Sequence, residues 1–260
     1  MKILLTNDDG YAAPGILALY KILKPHHQVI LIAPDGEKSA VGHGITLNEP
    51  MRITQINPTH EDKVYAVTGT PADCIKLGLF ELCTPPPDLI ISGINPGSNT
   101  GVNINYSGTL AAAREGALNG ILSMAVSIFR GENPIDFQGM SHFIARLTDK
   151  IHGYGLPAGT FLNINGPNIQ MDKVRGVKIT RQASNNLSKN FDRRTDPKNR
   201  PYYWYGNMDT LDHEPDTDVK AVSQNYISIT PLQCDLTDHK TMKELEKFKL
   251  SIGLEKRAIP

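Results

Sequence analysis

The sequence predicts an α/β protein built on a mostly parallel β-sheet with helices on both faces. Three observations carry that reading. Short continuous apolar runs recur through the first half of the chain, as in Ile3-Leu4-Leu5, Val29-Ile30-Leu31-Ile32-Ala33 and Leu89-Ile90-Ile91. A strand that is apolar on both sides is buried on both sides, which is the condition of a parallel sheet. Helical stretches separate these runs, and proline, glycine and capping residues mark the junctions.

Taken in order, Ile3–Leu5 reads as the first strand, and Ile16–Leu23 as an amphipathic helix entered through Pro14. Val29–Ala33 is a second buried strand, closed by Pro34. Met51–Ile56 and Val64–Val67 follow as further strands. Thr70-Pro71-Ala72-Asp73 is a helix start, with Thr70 as N-cap, Pro71 in the first turn and Asp73 near the positive end of the dipole. That helix is predicted to run to about Leu82. Leu89–Ser92 is a strand, Thr109–Asn119 an alanine-rich helix and Met124–Ile128 a strand. Asp136–His152 then reads as a helix and Phe161–Ile164 as a strand. After about Gln182 the composition changes: residues 183–220 are polar and turn-rich and contain Tyr202-Tyr203-Trp204-Tyr205. Tyr226–Thr230 alternates as a strand does, and Met242–Phe248 reads as a terminal helix. The expected division is a core over 1–182 and a segment over 183–260 that sends one strand back to the core.

Composition narrows the function. The 260 residues are 40% hydrophobic and 21% charged, with 27 Lys+Arg against 27 Asp+Glu. Affinity for polyanions scales with the phosphates neutralised by basic groups, so a balanced chain without a Lys/Arg run argues against DNA as partner. Cys74, Cys83 and Cys234 form no paired motif and suit a reducing compartment. The apolar start of the chain is too short for a signal peptide, and no stretch has the length of a membrane span. The cytoplasm is the expected location.

In open parallel sheets the ligand crevice lies beyond the carboxyl ends of the strands. Asn7-Asp8-Asp9-Gly10 stands there, directly after the first strand. Adjacent carboxylates repel one another, and a hard cation removes that repulsion while accepting oxygen ligands. Taken alone, the motif reads more readily as a solvated Asp-Asp-Gly turn. Ser39 follows the second strand, and Asn95 follows Leu89–Ser92, so two carboxylates, a hydroxyl and a carboxamide would converge at the same sheet edge. Alone, Ser39 reads as a surface residue and Asn95 as a turn former. Ser107-Gly108-Thr109 opens the alanine-rich helix, where free N–H groups and hydroxyls suit an anion such as phosphate, or simply cap the helix. P-loop, dinucleotide-binding, zinc-protease and nucleophile-elbow signatures do not occur. His43 reads as a loop residue near the site. The Tyr202–Tyr205 cluster reads as a subunit interface in preference to a base-stacking surface.

Asn7-Asp8-Asp9-Gly10 with Ala13-Pro14-Gly15, Gly69-Thr70-Pro71-Ala72-Asp73, Ser92-Gly93-Ile94-Asn95, and Ser107-Gly108-Thr109 with Glu115-Gly116 together resemble the SurE family of 5′/3′-nucleotidases. Pro201-Tyr202-Tyr203-Trp204 and Ser228-Ile229-Thr230-Pro231-Leu232 resemble its later motifs, so the similarity spans nearly the whole chain. The resemblance implies a Rossmann-like sheet with a protruding C-terminal hairpin that supports homodimers or homotetramers. It implies hydrolysis of nucleoside 5′- and 3′-monophosphates with one bound divalent cation, Mg²⁺ or Mn²⁺. Its metal ligands fall on Asp8, Asp9, Ser39 and Asn95. Ala40 stands where many relatives carry glycine, a departure that bears on the shape of the Ser39 loop. The expected chemistry is attack of a water on a metal-polarised phosphoryl group, with Asn95 and Ser107–Thr109 holding its other oxygens and Asp8 or Asp9 as candidate proton acceptor. The competing readings are an aspartyl-phosphate phosphatase with Asp8 as nucleophile, a catalytically silent nucleotide-binding module, and a structural hub.

Overall fold

The computed structural model describes residues 1–56, 63–131, 134–184, 191–205 and 214–247. The first half alternates β1 (Lys2–Thr6), α1 (Pro14–Leu23), β2 (Gln28–Pro34), β3 (Ile53–Gln55), β4 (Lys63–Val67), α2 (Pro71–Leu77), β5 (Leu89–Pro96), α3 (Gly108–Leu118) and β6 (Leu122–Ile128). The second half contributes α4 (Phe137–Tyr154), β7 (Thr160–Gly166), β8 (Val177–Ile179), β9 (Phe191–Thr195), β10 (Pro201–Tyr205), α5 (Asp218–Ser223), β11 (Ile227–Gln233) and α6 (His239–Lys247). The expected terminal helix is seen to Lys247, and Phe248 lies outside the described residues.

Nine strands form one sheet in the order β3-β4-β2-β1-β5-β6-β7-β11-β8. From β4 to β7 every pairing is parallel, while β3 and β11 run antiparallel to their neighbours β4 and β7. The mostly parallel α/β sheet predicted from the apolar runs is therefore the observed architecture. Alternation along β1 divides the core: Ile3 and Leu5 pack beneath α1 and α4 with Ile16, Leu19, Leu23 and Ile144. Leu4, between them, faces Ile75 of α2 and Ala112 of α3 on the other side. Every one of these side chains is fully buried, and each such leucine or isoleucine contributes roughly 1.5–3 kcal/mol through water exclusion.

Two features position the site. The chain builds from β1 outward to β2 and β4, then crosses back to place β5 on β1's other side. That reversal leaves a crevice between the carboxyl ends of β1 and β5. In β5, a register shift between Ser92 and Asn95 breaks the regular ladder with β6 where the strand reaches that crevice.

The boundaries differ from expectation in physically readable ways. The helix predicted to reach Leu82 changes at Gly78 into a wider π-type turn, Gly78–Leu82. A side chain at Gly78 would lie 2.8 Å from Leu4, so the segment packs against β1 through bare backbone. Strand β8 and helix α5 have no counterpart in the sequence reading. The first is three residues, two of them exposed, and the second a six-residue helix inside a polar segment, too short for either periodicity to register. Among the described residues no helix is long and apolar enough to cross a membrane.

Candidate metal and phosphate site

The site begins with Asn7, which is fully buried at the end of β1. Its carboxamide donates to the Gly10 carbonyl at 2.9 Å and accepts from the Gly10 N–H at 3.1 Å. This closed turn presents Asp8 and Asp9 to the crevice. Asp8 is 5% exposed, and its Oδ1 accepts a 2.6 Å hydrogen bond from Thr109 Oγ1. Asp9 is less enclosed, yet its Oδ2 is buried with no hydrogen-bond partner among the described residues. Burial pushes the Asp8 carboxyl up, opposed by the Thr109 hydroxyl. Burial also raises Asp9, to about 7, with Asp8 and Glu37 adding like-charge repulsion and Arg130 opposing.

Helix α3 meets Asp8 from the opposite side. Ser107 is its N-cap, its Oγ accepting from the Leu110 N–H at 3.1 Å. Gly108 passes so close that an added Cβ would stand 2.9 Å from Asp8 Cβ and 3.1 Å from Oδ2. Thr109, expected to hold phosphate, is fully buried and directs its hydroxyl to Asp8.

Ser39 lies on the exposed loop after β2 and donates to Glu37 Oε1 at 2.6 Å. The loop is docked beside the site by backbone: Lys38 N–H donates to the Asp8 carbonyl at 2.7 Å, and Gly42 N–H to Tyr106 at 3.0 Å. Ala40 sits between these ties at φ +57°, in the left-handed region. Asn95 is at the end of β5, where its Nδ2 donates to the Gly97 carbonyl at 2.6 Å and leaves Oδ1 as an acceptor. Asp8, Gly108 and Thr109 are thus in direct contact. Ser39 stands next to the Lys38 tie to Asp8 but turns its hydroxyl to Glu37, and Asn95 stands on the strand next to β1.

An all-oxygen donor set with two crowded acids fits a hard divalent cation, and the buried, unpartnered Asp9 Oδ2 is the atom such an ion would satisfy. Among the described residues no group of three or more His, Cys, Asp or Glu side chains is placed to hold a metal ion, so a cation here would depend on the two acids together with hydroxyl and carboxamide oxygens. A cleft of about 420 Å³ opens beside the acids, lined by Asp9, Tyr11, Asp35, Pro96 and Phe137 among others. It has the volume of a small-ligand pocket.

Several contributors carried no role at the site in the sequence reading. Asn7 acts as an Asx-type clamp, which the Asn-x-x-Gly spacing permits. Glu37, bonded to Ser39, adds its negative charge to the surroundings of Asp8 and Asp9. His43 Nε2 donates to Glu115 at 2.9 Å, Lys76 pairs with the same carboxylate at 2.8 Å, and Asn119 adds a third contact at 3.0 Å. Asp73, the N3 partner of the Thr70 capping box, also accepts from the Thr46 hydroxyl at 2.7 Å. These contacts fasten the loop after Ser39 onto α2 and α3.

Fold and site together define an α/β protein with a candidate cation and oxyanion site at the switch point of its sheet. Comparison with known proteins places it more narrowly. The family model "Survival protein SurE" matches residues 3–189. A protein named 5′-nucleotidase SurE from Syntrophobacter fumaroxidans is 47% identical over 251 residues, covering 96% of this chain and all of that one. Its namesake from Desulfatibacillum aliphaticivorans is 46% identical, covering 96% and 99%. The crystal structure of the SurE protein from Aquifex aeolicus superposes with a TM-score of 0.85 at 39% identity, covering 95% of this chain and 99% of that one. The chain belongs to the SurE family.

Proposed function

We propose that this protein is a divalent-metal-dependent nucleotidase that hydrolyses nucleoside 5′- and 3′-monophosphates to nucleoside and phosphate. The single observation that carries the reading is the Asp8–Asp9 pair at the carboxyl end of the first strand: adjacent carboxylates, Asp8 buried and Asp9 half-buried with one buried, unpartnered oxygen. The names of the relatives support the 5′ activity; the 3′ activity is part of the proposal. Asp8, Asp9, Ser39 and Asn95 are proposed as ligands of one Mg²⁺ or Mn²⁺.

When bound, the cation supplies charge neutralisation to the two acids and Lewis acidity to a phosphoryl oxygen. The chain supplies the rest. Thr109 orients Asp8 and favours its charged form against the upward push of burial. Bare Gly108 lets the start of α3 approach Asp8 closely, and there Ser107 and the first N–H groups of α3 can hold phosphoryl oxygens. Asn95 Oδ1 and Ser39 complete the ring of donors. Water attacks phosphorus as the bond to the nucleoside oxygen breaks, and Asp8 or Asp9 is the proposed acceptor of the water's proton. The cleft beside Asp9 has room for the nucleoside. We further propose a homodimer or homotetramer formed through the β9–β10 hairpin and a cytoplasmic setting, which three free thiols suit.

The test is phosphate release from a panel of 5′- and 3′-nucleoside monophosphates, first in EDTA and then with added Mg²⁺ or Mn²⁺. Metal-restored release is expected, and Asp8→Asn is expected to remove it while the far-ultraviolet dichroism stays native. Folded protein that binds nucleotide but releases no phosphate with any metal would move the assignment to a binding module.

A further inference from the structure

Residues 97–106 bridge the two halves of the proposed site, running from Asn95 on β5 to the Ser107 cap of α3. Two buried clamps hold this bridge. The first comes from β6 and β7. Asn99 N–H donates to Asn165 Oδ1 at 2.8 Å, and Asn99 Nδ2 donates to Ser127 Oγ at 2.8 Å. The Asn99 carbonyl accepts from Asn163 Nδ2 at 2.7 Å and Asn165 Nδ2 at 3.3 Å. The second clamp comes from the far end of the chain. Asp218, fully buried at the start of α5, takes the Gly101 N–H on Oδ2 at 2.9 Å. Its Oδ1 takes the N–H groups of Ala183 at 3.0 Å and Val219 at 2.8 Å. Gln182 Nε2 donates to the Gly101 carbonyl at 3.0 Å from the same side.

A buried carboxylate among backbone donors is costly unless all its bonds are made. The sequence could satisfy this short helix start with a neutral cap, and Thr217 already provides one, accepting from Lys220 N–H at 3.3 Å. The carboxylate has a separate use: it is the one side chain that fastens a single bridge N–H to the C-terminal segment with a charge-assisted bond. Metal–phosphate chemistry depends on separations held to within about 0.5 Å.

We propose that Asp218 is a positioning residue of the nucleotidase site, acting through Gly101 to fix the spacing between Asn95 and the N-terminus of α3. The inference rests on the proposed metal site. It predicts that α5, far along the chain and outside the crevice, controls turnover.

Asp218→Asn tests this with little change in shape. A carboxamide has one acceptor oxygen, and the orientation that keeps the Ala183 and Val219 bonds turns an NH₂ toward the Gly101 N–H. Thr217→Val is the companion, because it removes the ordinary cap and leaves every Asp218 bond. Both variants should lose melting temperature. Only Asp218→Asn should lower kcat, on the order of tenfold, and weaken Mn²⁺ binding in a calorimetric titration. If Asp218→Asn keeps both within about twofold of the wild type while melting like Thr217→Val, the residue is structural and the proposal fails. Should Asp218→Asn not fold, Ser127→Ala decides, since it cuts one bond of the other clamp. A smaller loss of kcat is expected, and an unchanged kcat overturns the positioning role of the bridge. Wild-type protein without metal-dependent phosphate release would instead remove the reading of the site itself.

Discussion

Thr109 commits its hydroxyl proton to Asp8, and that one bond sets how acid the site can become before it fails. The hydroxyl favours the charged form of a carboxylate whose pKa burial has raised. Thr109→Val conserves shape and removes the donor, so the Asp8 pKa rises further. A metal site needs the ionised carboxylate, hence the acid limb of the pH–rate profile should move to higher pH, with metal activation lost first in slightly acidic buffer. A hydrogen bond to a charged group is worth about 1.5–3 kcal/mol, enough to shift the limb by a unit or more. A profile that overlays the wild type would mean that the bond is incidental. Ala40 gives a second test at this scale. An L-residue in the left-handed region carries roughly 1–2 kcal/mol of strain, while glycine adds chain entropy to the unfolded state. Ala40→Gly should therefore stabilise by about 0.5 kcal/mol in urea denaturation, and a clear loss of stability would contradict the strain argument.

Between elements, Glu115 of α3 is the joint. It is 5% exposed and gathers His43 from the site loop, Lys76 from α2 and Asn119 from its own helix end. The hydrogen bond from His43, with Lys76 and Asn119, holds its carboxyl at about 2 against the upward push of burial, below the ordinary 4.5. A depressed folded-state pKa contributes stability that is fully present above the unfolded value and is lost as pH falls through the folded one. Wild-type stability should therefore decline between about pH 4.5 and 2 by more than that of Glu115→Gln, the difference being read from denaturant melts at each pH. Parallel curves for the two proteins would show that Glu115 does not couple these elements. This joint was only half legible in the sequence. Glu115-Gly116 stands out as a motif, but the partner His43 lies 72 positions away, and nothing in local spacing joins them. The same limit explains why Asp8, Asp9, Ser39 and Asn95 could be proposed from strand ends alone, whereas the Thr109–Asp8 bond, at a separation of 101, needed coordinates. Periodicity gave the buried parallel strands because their apolar runs are unbroken. It missed β8 and α5, whose order comes from strand pairing and from Asp218.

The whole molecule joins its two ends at one sheet. The segment read from sequence as a C-terminal extension sends β11 between β7 and β8, so residues after 220 complete the core edge next to the Asn163–Asn165 clamp. What lies between them is different in kind. Among the described residues strands β9 and β10 pair only with each other, and all ten of their residues are exposed. Phe191 stacks on Tyr205 at 5.0 Å, while Tyr203, Trp204 and Tyr205 are 58%, 61% and 72% open to solvent. A two-stranded hairpin is marginal in water, and an aromatic patch on it gains most by being covered. Homo-oligomerisation would supply that cover, which is the argument for proposing the subunit interface here. Replacing Tyr203 and Trp204 together by serine should shift sedimentation velocity from an oligomer toward the monomer at micromolar concentration. The secondary structure of the core should be unaffected, because no core residue is touched. If the wild type already sediments as a monomer, or the double variant keeps the assembly intact, the hairpin is not the interface and its aromatics await another partner.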